Sequence, residues 1–181
     1  TCMQQIAAAI YWGPTPVPQG IERLATLLED ETLGRFGHAT VAPFLGGLYA
    51  QAGEFATARG LITEAEHTLT GFGAATTAFT YCGTVRADVE LLAGDLHAAE
   101  ATLREQCDHF ERVHDRAHLA VRAAKLAEAL FRQRRWEECE HWVLISRSCA
   151  ASDDQSAQLV VGAVEAKLLA GHLQGCVVEG I

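Results

Sequence analysis

The chain has 181 residues, 49% of them hydrophobic and 20% charged, which is ample for a core, yet no apolar run approaches the ~20 residues of a membrane helix. A formal charge of −9, with 14 dispersed Lys and Arg, argues against phosphate-backbone binding, so nucleic acid and membrane partners are set aside. Six cysteines (Cys2, Cys82, Cys107, Cys139, Cys149, Cys176) share no C-x-x-C spacing and are expected as reduced, mostly buried thiols, which points to a cytoplasmic setting.

In chain order, Cys2 to Tyr11 reads as the tail of a helix that begins further upstream, stopped by Gly13-Pro14-Thr15-Pro16. Val17 to Glu29 carries apolar residues at Val17, Ile21, Leu24, Leu27 and Leu28, a helical face. Glu31 to His38 reads as a loop, and Pro43 places the next helix start near Val41, because proline is tolerated only in a first turn. Helices follow near 41–52 and 55–70, a Gly71-Phe72-Gly73 break, then helices 75–93 and 96–112. Asp115 is the expected N-cap of a helix from about Arg116 to Gln133, paired with one from Trp136 to about Ala150. Ser152-Asp153-Asp154 caps a helix near 155–170, and a final helix is cut short.

A repeat organises these elements. Leu91-Leu92-Ala93-Gly94-Asp95-Leu96-His97-Ala98-Ala99 has counterparts around Gly53 and Phe55, Arg134 and Trp136, and Gly171 and Leu173. The anchors Phe55, Leu96, Trp136 and Leu173 stand 41, 40 and 37 residues apart, near the period at which helix pairs stack. Gly53, Gly94 and Gly171 supply the left-handed residue after a helix, while Arg134 replaces glycine at some cost to the cap without abolishing the hairpin. Small residues three beyond each anchor (Ala58, Ala99, Cys139, Cys176) allow close helix approach. The predicted fold class is all-α: a right-handed solenoid of antiparallel, tetratricopeptide-like hairpins in one domain over 1–181. It comprises a partial repeat over 1–36 and repeats near 37–73, 74–114, 115–152 and 153–181. Its buried seam is expected at Gly46, Ala87, Ala127 and Val164, and at Ala50, Leu91, Phe131 and Leu168. The chain reads as a piece of a longer protein, with apolar ends expected to promote end-to-end self-association.

Gly13-Pro14-Thr15-Pro16-Val17 ahead of Ile21 and Arg23, Val89 to Asp95, Asp153-Asp154 with Gln158, and Ala166-Lys167-Leu168-Leu169-Ala170 resemble the tetratricopeptide-like region of large bacterial multidomain signalling ATPases. Many of those carry a class III adenylate/guanylate cyclase domain and an AAA-type or STAND-type ATPase. The chain departs from that pattern at Val161-Gly162, where Trp-Arg is frequent. The resemblance implies a non-catalytic sensor or scaffold that binds a protein partner or neighbouring domains of its own chain. The alternative is an effector-binding repeat domain of an ATP-dependent transcriptional activator.

Motifs for chemistry are absent: there is no G-x-x-x-x-G-K-[ST], H-E-x-x-H or G-x-S-x-G, and no enzyme activity, metal or cofactor is expected of this segment. Cys107, Asp108, His109, His114, Asp115 and His118 have zinc-compatible chemistry, but a helix break near His114 favours reading them as polar residues at a turn. Arg132-Gln133-Arg134-Arg135 reads as a solvated basic turn, and Trp136 as a packing anchor. The expected partner face comprises positions two, six, nine and thirteen before each glycine position, free of packing duty. There Asp88, Glu128 and Glu165 form an acidic row flanked by Phe44 and Tyr81, with Lys125 on the same face, suited to a ligand or peptide bearing Lys or Arg.

Overall fold

The structure, a computed structural model, describes residues 2–150, 158–159 and 161–168. Among these residues there is no strand, and no helix is long and apolar enough to cross a membrane. The chain divides into two compact units, Thr1–Asp95 and Leu96–Ile181. The first holds α1 (Cys2–Trp12), α2 (Val17–Leu28), a 3-10 turn (Glu31–Leu33), α3 (Gly34–Gln51), α4 (Phe55–Gly71) and α5 (Ala75–Ala93). The second holds α6 (Leu96–Arg112), α7 (Arg116–Arg132) and α8 (Trp136–Cys149), with residues 158–159 and 161–168 also helical.

The helix ends are the most regular feature. Positive φ occurs at Gly53, Gly73, Gly94, His114 and Arg134 (88°, 75°, 80°, 58° and 63°), one turn for about every 20 residues. At each, the following amide donates to a carbonyl five residues back: Glu54 to Tyr49, Ala74 to Leu69, Asp95 to Glu90, Asp115 to Phe110 and Arg135 to Leu130, all 2.9–3.0 Å. These six-to-one bonds satisfy carbonyls that a helix terminus leaves open. The same turn therefore closes each helix from α3 to α7, not only the alternate ends visible as Gly53, Gly94 and Arg134. His114 holds the left-handed position without glycine, which hid that turn from a glycine count. Asp115 caps α7 as expected, its side chain accepting from the His118 amide.

One boundary is corrected. The stretch 31–38 is not a loop: Asp30 accepts from both the amide and the hydroxyl of Thr32 to fold a 3-10 turn, and α3 begins at Gly34 with Pro43 in its interior. An interior proline costs ~3 kcal/mol of helix propensity. Burial outweighs it, because Ala39, Val41, Phe44, Leu45 and Leu48 all lie at or below 5% exposure, and full burial of a single large side chain is worth ~1.5–3 kcal/mol. In the first unit α3 packs against α1, α2, α4 and α5, which makes it the central helix. In the second unit α7 packs against α6 and α8.

The packing hierarchy around the expected anchors also differs from expectation. Ala58, Ala99 and Cys139, the small residues, are completely buried. The large anchors Phe55 and Leu96 are only half-buried, and Trp136 is 38% exposed, resting edge-on against Phe131. Helix approach is set by the small side chain, and the larger one rides at the margin. The seam residues Gly46, Ala87, Ala127 and Val164 are buried, as are Ala50 and Leu168, whereas Leu91 and Phe131 are half-buried. Leu173, Gly171 and Cys176 lie outside the described residues.

Candidate functional site

Three of the expected partner-face residues come together in the first unit, on α3 and α5. Phe44 of α3 sits at the centre of an aromatic cluster, with ring centroids 6.1 Å from Tyr11, 5.5 Å from Trp12 and 6.1 Å from Tyr81. Phe44 is 0% exposed, and Thr40 and Val85 on the same strip are buried too. This corrects the expectation that the strip is free of packing duty: α3 is flanked by α1 on one side and α5 on the other, so side chains aimed between them are covered. What remains open is Trp12, 54% exposed and edge-on to Phe44, together with half-buried Tyr81.

Asp88 is also engaged. The Tyr11 hydroxyl donates to its Oδ2 at 3.1 Å, a contact between residues 77 apart in sequence. To reach from α1 to α5 the Tyr11 ring crosses α3 above Gly47, where an added Cβ would lie 2.5 and 2.8 Å from ring carbons and 2.9 Å from Val85. Gly47 is thus the gap through which two non-adjacent helices touch. Tyr11 and Trp12 were not among the expected site residues. Their local signal was two aromatics closing a helix before Gly13-Pro14, and nothing local linked them to Phe44 or Asp88.

The remaining expected residues belong to the second unit. Glu128 of α7 accepts from Lys167 Nζ at 2.7 Å, and Glu165 accepts from Arg147 at 2.9 Å. Lys125, half-buried on α7, has interactions of its own. Both carboxylates are partly exposed, so each pair stabilises by at most ~1 kcal/mol. Their charge is largely neutralised locally, which weakens the expected acidic row.

The Arg132-Gln133-Arg134-Arg135 run proves more structured than a solvated turn. Glu100 of α6 accepts from Arg104 Nε at 2.8 Å, Gln133 Nε2 at 2.9 Å and Arg135 Nη1 at 2.6 Å. Glu138 of α8 receives Arg104 and Arg135 from the other side, each at 2.7 Å. Burial alone would raise the Glu100 pKa, but the three donors and the Arg135 charge hold it down to about 2. The network joins α6, the α7–α8 turn and α8 with alternating charges.

The cysteine and histidine residues near 107–118 do not converge. Cys107 is 1% exposed, and burial pushes its thiol up to about 12. His118 stacks on Phe110 with centroids 5.0 Å apart and places Nδ1 2.8 Å from Asp115 Oδ2. His114 holds the left-handed turn. Among the described residues no group of three His, Cys, Asp or Glu side chains is arranged to hold a metal ion. Cys2, Cys82, Cys107, Cys139 and Cys149 are free thiols. Compared with known proteins, the chain matches no family model, no curated protein and no solved structure.

Proposed function

We propose that this chain is a non-catalytic, tetratricopeptide-like scaffold of a bacterial signalling protein, cytoplasmic in location, which captures a protein partner or a neighbouring domain of its own chain. The observation that carries the reading is the aromatic platform of the first unit. Trp12 stands out from a cluster in which Tyr11 and Phe44 are buried and Tyr81 half-buried, and aromatic side chains seated on a packed base dominate binding at protein interfaces. The recurring hairpin turns support it as well, since they repeat one supersecondary unit along the chain. A partner segment bearing Lys or Arg suits the platform, because a cation over Trp12 or Tyr81 gains ~0.5–2 kcal/mol from the ring quadrupole. Trp12→Ala combined with Tyr81→Ala tests the reading against the flanking domains of the parent chain, expressed separately and titrated by calorimetry. At least about tenfold weaker binding is expected, equivalent to ~1.4 kcal/mol. Unchanged affinity in a double variant with native circular dichroism would overturn it.

A further inference from the structure

The first unit contains a second concavity that shares no residue with the aromatic platform. A cleft of ≈ 510 Å³ lies between the end of α2, the 3-10 turn, the N-terminal half of α3 and the middle of α4. Its size falls in the range of small-molecule sites, ~300–1,000 Å³. The apolar part comes from Ala39 and Ala42 of α3 and Leu61 and Ala65 of α4, with Ala39 and Ala65 fully packed into the core behind. Three of these four side chains are alanines, so most of that surface is set by the backbones of two packed helices.

Charge around this surface is of both signs and unspent. Glu31, Arg35 and Glu64 all line the cleft, yet none forms an ion pair among the described residues. Elsewhere in the same unit Arg59 bonds Glu90 through two nitrogens, and Arg86 bonds Glu66. Arg35 shares the concavity with Glu31 of the 3-10 turn and Glu64 of α4 and is ion-paired with neither. Charges of both signs, with His38 beside them, therefore line the cleft next to an apolar patch.

We propose that this cleft binds a short apolar peptide with both termini free. Arg35 takes the carboxylate, whose two oxygens match the guanidinium fork. Glu64 and Glu31 take the ammonium, and the apolar side chain lies on Ala39, Ala42, Leu61 and Ala65. A ligand with one charge leaves the cleft's groups of the other sign unpaired, and a neutral ligand uses only the apolar patch. The proposal does not depend on capture of a protein partner, which would use Trp12 and Tyr81.

The test is calorimetric titration of the 181-residue chain with trileucine, N-acetyl-trileucine, trileucine amide and the doubly blocked peptide. Saturable binding is expected for trileucine, weakened at least about tenfold by either block, since a charge-assisted hydrogen bond is worth ~1.5–3 kcal/mol. Arg35→Gln should abolish discrimination between trileucine and its amide, and Glu64→Gln should reduce that between trileucine and its acetylated form. Both side chains are exposed, so the variants fold, which unchanged thermal melting without peptide verifies. Equal binding of free and doubly blocked peptide, no binding of trileucine at millimolar concentration, or trileucine binding that Arg35→Gln leaves intact would each overturn the proposal.

Discussion

Gly47→Ala isolates the contact that joins α1 to α5. In an ordinary helix interior this substitution gains up to ~1 kcal/mol from propensity. Here the new methyl would meet Tyr11 ring carbons at 2.5 and 2.8 Å and Val85 Cγ1 at 2.9 Å. Tyr11 cannot step aside cheaply, being 6% exposed and packed between Trp12 and Phe44. Overpacking of this kind costs ~1–3 kcal/mol, and displacing the ring also removes the Tyr11–Asp88 hydrogen bond, worth ~1–2 kcal/mol to a charged acceptor. The net expectation is a loss of about 1–4 kcal/mol, the steric and hydrogen-bond terms outweighing propensity. Gly60, on α4 with open space around it, is the internal control, and Gly60→Ala should stabilise by ~0.5–1 kcal/mol. Urea unfolding followed by circular dichroism measures both. Tyr11→Ala should recover most of the Gly47→Ala penalty, giving a coupling of about 1 kcal/mol or more in a double-mutant cycle. If Gly47→Ala proves as stable as Gly60→Ala, the account of Gly47 as a gap for the Tyr11 ring is wrong.

Other expectations follow from the turns, the Glu100 network and the thiols. Arg134→Gly should stabilise by ~0.5–1 kcal/mol in thermal melting, since relief of left-handed strain (~1–2 kcal/mol) exceeds the extra freedom of the unfolded chain (~0.4–1 kcal/mol); a lower melting temperature would contradict this. Glu100 is held at about 2 against an ordinary 4.5, so the unfolded state binds the proton more readily. Its stabilisation is fully present above pH 4.5 and is lost as pH falls towards 2. With its arginine partners more than a third exposed, that loss should be about 1–2 kcal/mol, and Glu100→Gln should flatten the stability profile in this window; an unaltered profile would remove Glu100 from the network's energetics. Under native conditions at pH 8, alkylation read by peptide mass spectrometry should reach exposed Cys2 before half-buried Cys149. Cys82 and Cys107, pushed up to about 12 by burial, and Cys139, at about 11, should resist until the chain unfolds. Prompt labelling of Cys107 would contradict the packing of α6 against α7.

Local signals in the sequence were sufficient for the helical content, the hairpin turns at Gly53, Gly94 and Arg134, the Asp115 cap and the ends of α5 to α8, because a left-handed residue, a capping side chain and a three-to-four residue apolar step each act within one or two turns of the chain. The same locality explains what was missed. Pro43 signals a helix start, and only the burial of Val41, Phe44 and Leu48 between neighbouring helices makes it an interior residue of α3. The repeat alignment marked Phe55, Leu96 and Trp136 as anchors, but helices in contact bury whatever lies nearest their common axis, so Ala58, Ala99 and Cys139 occupy the centre. Phe44 looked available because spacing assigns a face without saying whether both flanks of that face are occupied. Tyr11 bonded to Asp88 over Gly47, and Glu100 gripping Arg104, Gln133 and Arg135, are decided by which helices become neighbours, a property of the folded chain that no window of sequence contains.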